Sequence, residues 1–170
     1  NLMLPNAKFK TEIITTNPNA LGNDKVEFLI SMNPGESLKP LSKVASGGEL
    51  SRLMLGLKVI FSSLQGISTI IFDEIDTGVS GPVATSIGVK MKKLSKNTQV
   101  FSITHLAQVA SIADNHYHVS KTSSDNKTIT SIKHLSDDER IYELAILASG
   151  EATKLSIEAA SELFRNNQGL

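Results

Sequence analysis

Two adjacent acids, Asp73-Glu74, directly follow the apolar run Thr69-Ile70-Ile71-Phe72. A short continuous run of this kind predicts a strand buried on both faces. The C-terminal end of such a strand is where open α/β sheets place their ligands. At that point one carboxylate can hold Mg²⁺, directly or through water, while the other polarises an attacking water. Acids also end strands simply because the chain reaches solvent there, so the pair alone does not decide. Ser46-Gly47-Gly48-Glu49 has two readings as well. Ser-x-x-Glu ahead of an apolar helical run is a capping box. Two consecutive glycines are not needed for a cap, and each costs about 1 kcal/mol against alanine inside a helix; they do open the N–H groups of a helix start to a phosphate. His105 ends Ser102-Ile103-Thr104-His105, a place where a lone histidine is more often structural than catalytic.

The elements that must position these residues follow from periodicity. Residues 1–45 read as strands and turns, with a strand at Val26-Glu27-Phe28-Leu29-Ile30-Ser31-Met32 ended by the turn signal Asn33-Pro34-Gly35-Glu36. From Glu49 the period becomes helical, with Leu50, Leu53, Met54, Leu57, Ile60, Phe61 and Leu64 on one stripe and Gly66 as its end. Gly81-Pro82 opens a helix to about Leu94, with proline in the first turn where its missing N–H is harmless. Thr98 to Thr104 predicts a second buried strand, followed by a short helix from Leu106 to Ala113. A hairpin is expected over His116 to Lys121 and Thr128 to Lys133 around Asp125-Asn126, and helices near 137–148 and 153–165. Strand–helix–strand order implies an α/β lobe, a mostly parallel sheet with flanking helices plus a small antiparallel part.

Composition sets the outer bounds. Among 170 residues, Lys+Arg and Asp+Glu both number 17, so net charge points to neither nucleic acid nor membrane. The absence of cysteine excludes disulfides and thiolate metal sites and fits a reducing compartment. No apolar run approaches the roughly 18 residues of a membrane span, and the start NLMLPNAKFK has no signal-peptide pattern. Because the first residue is Asn1 and not Met, a fragment of a longer protein is expected.

Order and spacing carry more than any motif alone. A glycine-rich helix start, then an apolar strand with Asp-Glu, then Asp76 and Gly78, then a strand ending in histidine resembles the ABC ATPase series. In that resemblance Ala45-Ser46-Gly47-Gly48-Glu49 is the signature motif, Ile70-Ile71-Phe72-Asp73-Glu74 is Walker B, Ile75-Asp76-Thr77-Gly78 matches the D-loop, and His105 is the switch histidine. The runs Val44-Ala45-Ser46-Gly47-Gly48-Glu49-Leu50-Ser51-Arg52, Phe72 to Gly81 and Ser102 to Ala110 look like the RecN family of bacterial DNA-repair ATPases, relatives of the structural-maintenance-of-chromosomes (SMC) proteins. The similarity runs from about Lys25 to the C-terminus. Membrane transporters usually have Leu where Ala45 stands and a different D-loop.

Missing parts shape the expected biochemistry. An ABC head needs Gly-x-x-x-x-Gly-Lys-Ser/Thr to cradle phosphates, yet no Gly-Lys pair occurs, and the first glutamine is Gln65, after the signature. In the family both absent parts lie upstream, across a long coiled coil. The resemblance therefore implies that residues 1–170 are the C-terminal part of a head, with 1–45 leading to the signature motif and 46–170 forming the lobe. It implies ATP and Mg²⁺ as cofactors, an N-terminal P-loop half and a second head as partners, DNA reached through the full-length protein, no membrane, and a bacterial cytoplasmic, nucleoid-associated location. Asp73 would help hold Mg²⁺, Glu74 would orient or deprotonate the water, and His105 would contact the γ-phosphate. Ser46, Gly47, Gly48 and Glu49 would close over the nucleotide of the partner head, and Asp76 would lie across that interface. The fragment alone would be inactive. Another SMC-like head, for chromosome organisation or nuclease regulation, and a non-catalytic interaction lobe are the rival readings; the intact Asp73-Glu74 pair argues against the latter.

Other features carry less. His116 and His118 alternate as on a strand, but no third metal ligand has convincing spacing. Lys90, Lys92, Lys93 and Lys96 cluster at a helix end, where a solvated face favoured by the helix dipole competes with DNA contact. Arg52 either supports the signature or is a solvated helix charge.

Overall fold

The computed structural model describes residues 6–43, 53–58, 60–61, 66–124 and 127–168. The signature residues Ser46, Gly47, Gly48 and Glu49, with Arg52, lie outside them.

The chain opens with a long antiparallel hairpin, β1 (Lys8–Asn19) and β2 (Gly22–Ser31), to which the short β3 (Lys39–Pro40) adds on the β2 side. The turn between the two long strands is fixed at Asn19, whose side-chain Oδ1 accepts from Leu21 N at 2.8 Å. Gly22 leaves the turn at φ 123°, a conformation that costs glycine little. Phe9 and Phe28 stack across the pair at 5.6 Å between ring centroids.

The site rests on a second, parallel sheet. β4 (Thr69–Asp73) and β5 (Gln99–Ile103) pair in register from Thr69↔Gln99 to Asp73↔Ile103, with helix α1 (Gly81–Leu94) as their crossover. One face of this pair is packed. Phe72 is fully buried with Leu55, Ala84, Ile87, Met91, Leu94 and Val109, and Ile70 and Val100 lean on the same cluster. The other face is open: Ile71, Phe101 and Ile103 are 60%, 48% and 55% exposed. The expectation of strands buried on both faces is thus corrected. An unbroken apolar run encodes two apolar faces, and among the described residues only one is covered.

The helical stripe needs a similar correction. Residues 53–58 and 60–61 are helical, but the fully buried position is Leu55, while Met54, Ile60 and Phe61 are exposed. This segment is apolar nearly all round, so spacing alone does not choose which side meets Phe72.

After β5 a single-turn helix, α2 (Ala107–Ala110), lies between two cores. Val109 belongs to the cluster around Phe72, and Ala107 and Ala110 pack with Leu144, Ala145, Ala160 and Phe164 of the C-terminal helices. Gly88 lets α1 approach this turn: a Cβ there would stand 2.7 Å from Ile112 Cδ1. The hairpin β6 (Tyr117–Ser124) and β7 (Lys127–His134) follows, in register from Tyr117↔His134 to Ser124↔Lys127. Its expected turn residues, Asp125 and Asn126, lie outside the described set. Helices α3 (Asp137–Ser149) and α4 (Lys154–Asn167) close the chain. Ser136 with Glu139 and Thr153 with Ser156 form reciprocal caps at their starts, and Gly150 ends α3 at φ 83°.

Candidate active site at the end of the parallel strands

The parallel pairing brings Asp73, Glu74 and His105 to one edge. Asp73 is the last residue of β4, Glu74 follows it, and His105 stands two residues beyond Ile103, the register partner of Asp73. The two strand ends are tied past the sheet, since Glu74 N donates to Ile103 O at 3.1 Å. All three side chains are exposed. Among the described residues neither carboxylate is paired with a cation. Adjacent, unpaired carboxylate oxygens at a strand end are the donor chemistry a hard divalent cation takes.

Glu74 has φ 46°, the one non-glycine residue in the left-handed region among the described residues. Its carbonyl accepts from Thr77 N at 3.1 Å and from Thr77 Oγ1 at 2.9 Å, which holds the turn. The next carboxylate behaves differently. Asp76 is 1% exposed. Its Oδ2 accepts from Thr104 Oγ1, and its buried Oδ1 has no partner among the described residues. From there the carboxylate reaches the strand-end turn of its own chain. A side chain this short, on a loop folded back over the strand end, meets the chain's own Thr104 first. The sequence reading misses Thr104; a hydroxyl immediately before a strand-end histidine is the available signal.

Behind His105 the chain is pinned to the C-terminal helices. Arg140, 4% exposed, donates from its guanidinium to the carbonyls of Ala113 and Asp114 (3.3 Å to the latter) and lies 4.6 Å over the Phe164 ring. Asn167 Nδ2 donates to Ser111 Oγ at 2.8 Å, and Gln168 Nε2 to Ser111 O at 3.2 Å. Lys92, from the basic cluster, pairs with Asp114, so this lysine at least serves the fold.

His116 and His118 sit in different surroundings. His116 precedes β6 and is half-buried, with its Nδ1 unpartnered, whereas His118 is exposed with Nε2 3.8 Å from Glu143. Burial, then Arg140, then His118 hold the His116 pKa below its ordinary value. Among the described residues no cluster of three His, Cys, Asp or Glu could hold a metal ion. Nor, among them, is any helix long and apolar enough to cross a membrane.

A parallel strand pair preceded by an antiparallel sheet and closed by a helical pair is the fold of the C-terminal lobe of an SMC-type ATPase head. The Smc head domain with coiled coil and joint from Pyrococcus yayanosii superposes with TM-score 0.66 at 19% identity, over 88% of this chain and 27% of that one. The head bound to the C-terminal domain of ScpA from Pyrococcus furiosus superposes with TM-score 0.60 at 20% identity, over 86% and 35%. In sequence, the chain is 53% identical over 145 residues to the DNA repair protein RecN of Bacillus subtilis, and 47% identical over 163 residues to that of Rickettsia conorii. These matches take in 85% and 95% of the chain. The chain belongs to the RecN family. It spans 25% of the first of these relatives and 30% of the second. No family model matches the chain.

Proposed function

We propose that this chain supplies the Walker B, D-loop and switch-histidine half of an ATP-hydrolysing head that acts in recombinational repair of DNA double-strand breaks. One observation carries the reading: exposed Asp73 and Glu74, without a cation partner among the described residues, share the end of a parallel strand pair with exposed His105. Asp73 would hold Mg²⁺, with Glu74 beside it. The ion, when bound, would neutralise charge on the phosphates. Glu74 accepts the proton of the attacking water or orients it, and His105 donates a hydrogen bond to the terminal phosphate. The nucleotide itself is cradled by a P-loop in an upstream half of the same protein. The half-exposed face of Ile71, Phe101 and Ile103 supports such a half, since covering it would gain about 2–4 kcal/mol. Ser46, Gly47, Gly48 and Glu49 engage the nucleotide of a second head, and the assembled dimer engages DNA in the bacterial cytoplasm.

The test is Glu74→Gln in a full-length protein that carries this chain. Hydrolysis should fall about 10²–10⁴-fold while nucleotide-driven dimers persist; a near-normal rate would remove Glu74 from the mechanism. Ser46→Arg should block head engagement more than first binding of ATP, and equal loss of both would count against a site shared between heads. Mixing this chain with the upstream half should restore an ATPase activity that neither has alone.

A further inference from the structure

We infer that Thr104 is a positioning residue for His105, with its hydroxyl oriented by the buried Asp76. This rests on the role proposed for His105. The Thr104 hydroxyl does two things at once. It donates to Asp76 Oδ2, and its oxygen accepts from Leu106 N at 3.0 Å. The second bond spans residues 104 to 106 and closes a turn with His105 at its apex. Leu106 in turn starts α2: its carbonyl accepts from Val109 N and Ala110 N, both at 3.0 Å. No side chain caps that helix, so the conformation of its entry rests on Thr104.

The other end of the relay lies in the loop carrying Glu74. Asp76 is two residues past Glu74, and its carbonyl accepts from Val79 N at 3.2 Å. The acid-bearing loop and the histidine-bearing turn are therefore joined twice, by Glu74 N to Ile103 O through backbone and by Asp76 to Thr104 through side chains. The first link sets the spacing of the strand ends. The second sets the direction of the turn, because a hydroxyl whose proton is committed to a carboxylate presents its lone pairs to Leu106 N. A carboxylate buried with one oxygen unpartnered is costly, and a surface Ser or Asn would close the same loop without that cost. Fixing the turn that aims His105 is what the buried charge accomplishes.

Steady-state hydrolysis by the full-length protein tests this, with Leu106 amide exchange measured alongside. Thr104→Val keeps the shape and removes the hydroxyl; it should lower kcat about ten- to hundredfold with KM within about twofold, and speed Leu106 exchange about tenfold. Thr104→Ser keeps the hydroxyl and should restore both. Since Thr104→Val strands the Asp76 carboxylate, the double variant Asp76→Leu/Thr104→Val serves as the folding control: it should regain thermal stability but not kcat. A kcat that recovers together with stability would make the pair merely structural and overturn the inference. So would an unchanged kcat in Thr104→Val when Glu74→Gln is inactive. Turnover surviving in Glu74→Gln and Thr104→Val alike would instead sink the site assignment beneath it.

Discussion

Arg140 is the residue whose loss this fold should feel most. It sits in the first turn of α3, where a cation opposes the helix dipole, and burial pushes its pKa down, with Asp137 and Asp114 acting the other way. Two carbonyls offset those costs. Ala113 and Asp114, at the end of the segment that follows His105, both accept from its guanidinium, whose plane covers Phe164 at 4.6 Å. Removing it leaves two carbonyls short of a donor, each hydrogen bond to a charged group being worth about 1.5–3 kcal/mol, and forfeits about 0.5–2 kcal/mol of ring contact. Relief from burying a cation returns part of this. The net loss for Arg140→Ala is then about 3 kcal/mol, near the lower end for breaking a buried charged contact.

Urea unfolding of the chain measures it. With a slope of about 2 kcal/mol per molar, the midpoint should fall by about 1.5 M. Arg140→Met, which can still cover Phe164, should lose about 2 kcal/mol, isolating the carbonyl contacts from the packing. Asp137→Ala serves as the counter-case: Asp137 is 3.6 Å away but 77% exposed, so its pairing should be worth under about 0.5 kcal/mol. A loss below about 1 kcal/mol for Arg140→Ala, or an Asp137→Ala loss of equal size, would refute the reasoning.

The remaining predictions concern protons and packing. His116 is held neutral by burial, Arg140 and His118, so its folded pKa lies below the ordinary 6.5. As pH falls through 6.5 the unfolded chain takes up a proton that the folded chain refuses, and stability should decline toward the folded pKa; NMR titration of His116 should move upward in Arg140→Met. Glu139 is the reverse case, its pKa lowered to about 2 by Lys133, the Ser136 backbone N–H and then the Ser136 hydroxyl. Its contribution is present above the unfolded value of 4.5 and lost as pH falls toward 2, and carboxyl chemical shifts should show it ionised at about pH 3. Gly88→Ala gains about 1 kcal/mol of helix propensity but forces Ile112 Cδ1 aside at about 1–3 kcal/mol, for a net loss near about 1 kcal/mol by thermal melting. Adding Ile112→Val, which lacks that carbon, should leave the double variant more stable than the sum of the two single effects.

Much of this architecture is legible locally. Gly81-Pro82 and Leu94 bound α1, and the two C-terminal helices lie within two residues of the expected 137–148 and 153–165. The placement of Asp73-Glu74 and His105 at one edge is likewise legible, because parallel pairing converts a strand end in sequence into a shared edge in space. Other features are not. Which side of the apolar 53–61 helix faces Phe72 depends on the sheet it meets, so period does not single out Leu55. Nothing local in the sequence points to the contact of Asp76 with Thr104, because only the return of β5 brings the two together. Nothing in the sequence singles out Arg140, because its acceptors lie 26 and 27 residues earlier, beyond any local rule.

Two disagreements between local preference and structure fall at the site. A left-handed backbone at Glu74 costs a non-glycine residue about 1 kcal/mol or more, and glycine would remove that cost. A buried carboxylate with one unpartnered oxygen at Asp76 costs at least as much again, and an apolar side chain would remove that. The same loop does use glycine where only geometry is at stake, at Gly78 with φ 75°. A chain shaped for stability alone would therefore carry glycine in place of Glu74 and an apolar residue in place of Asp76. It carries acids at both, close behind the strand end that also presents Asp73. Retained strain with a carboxylate at each strained point is a physical argument for chemistry at this edge, and it holds without any appeal to resemblance.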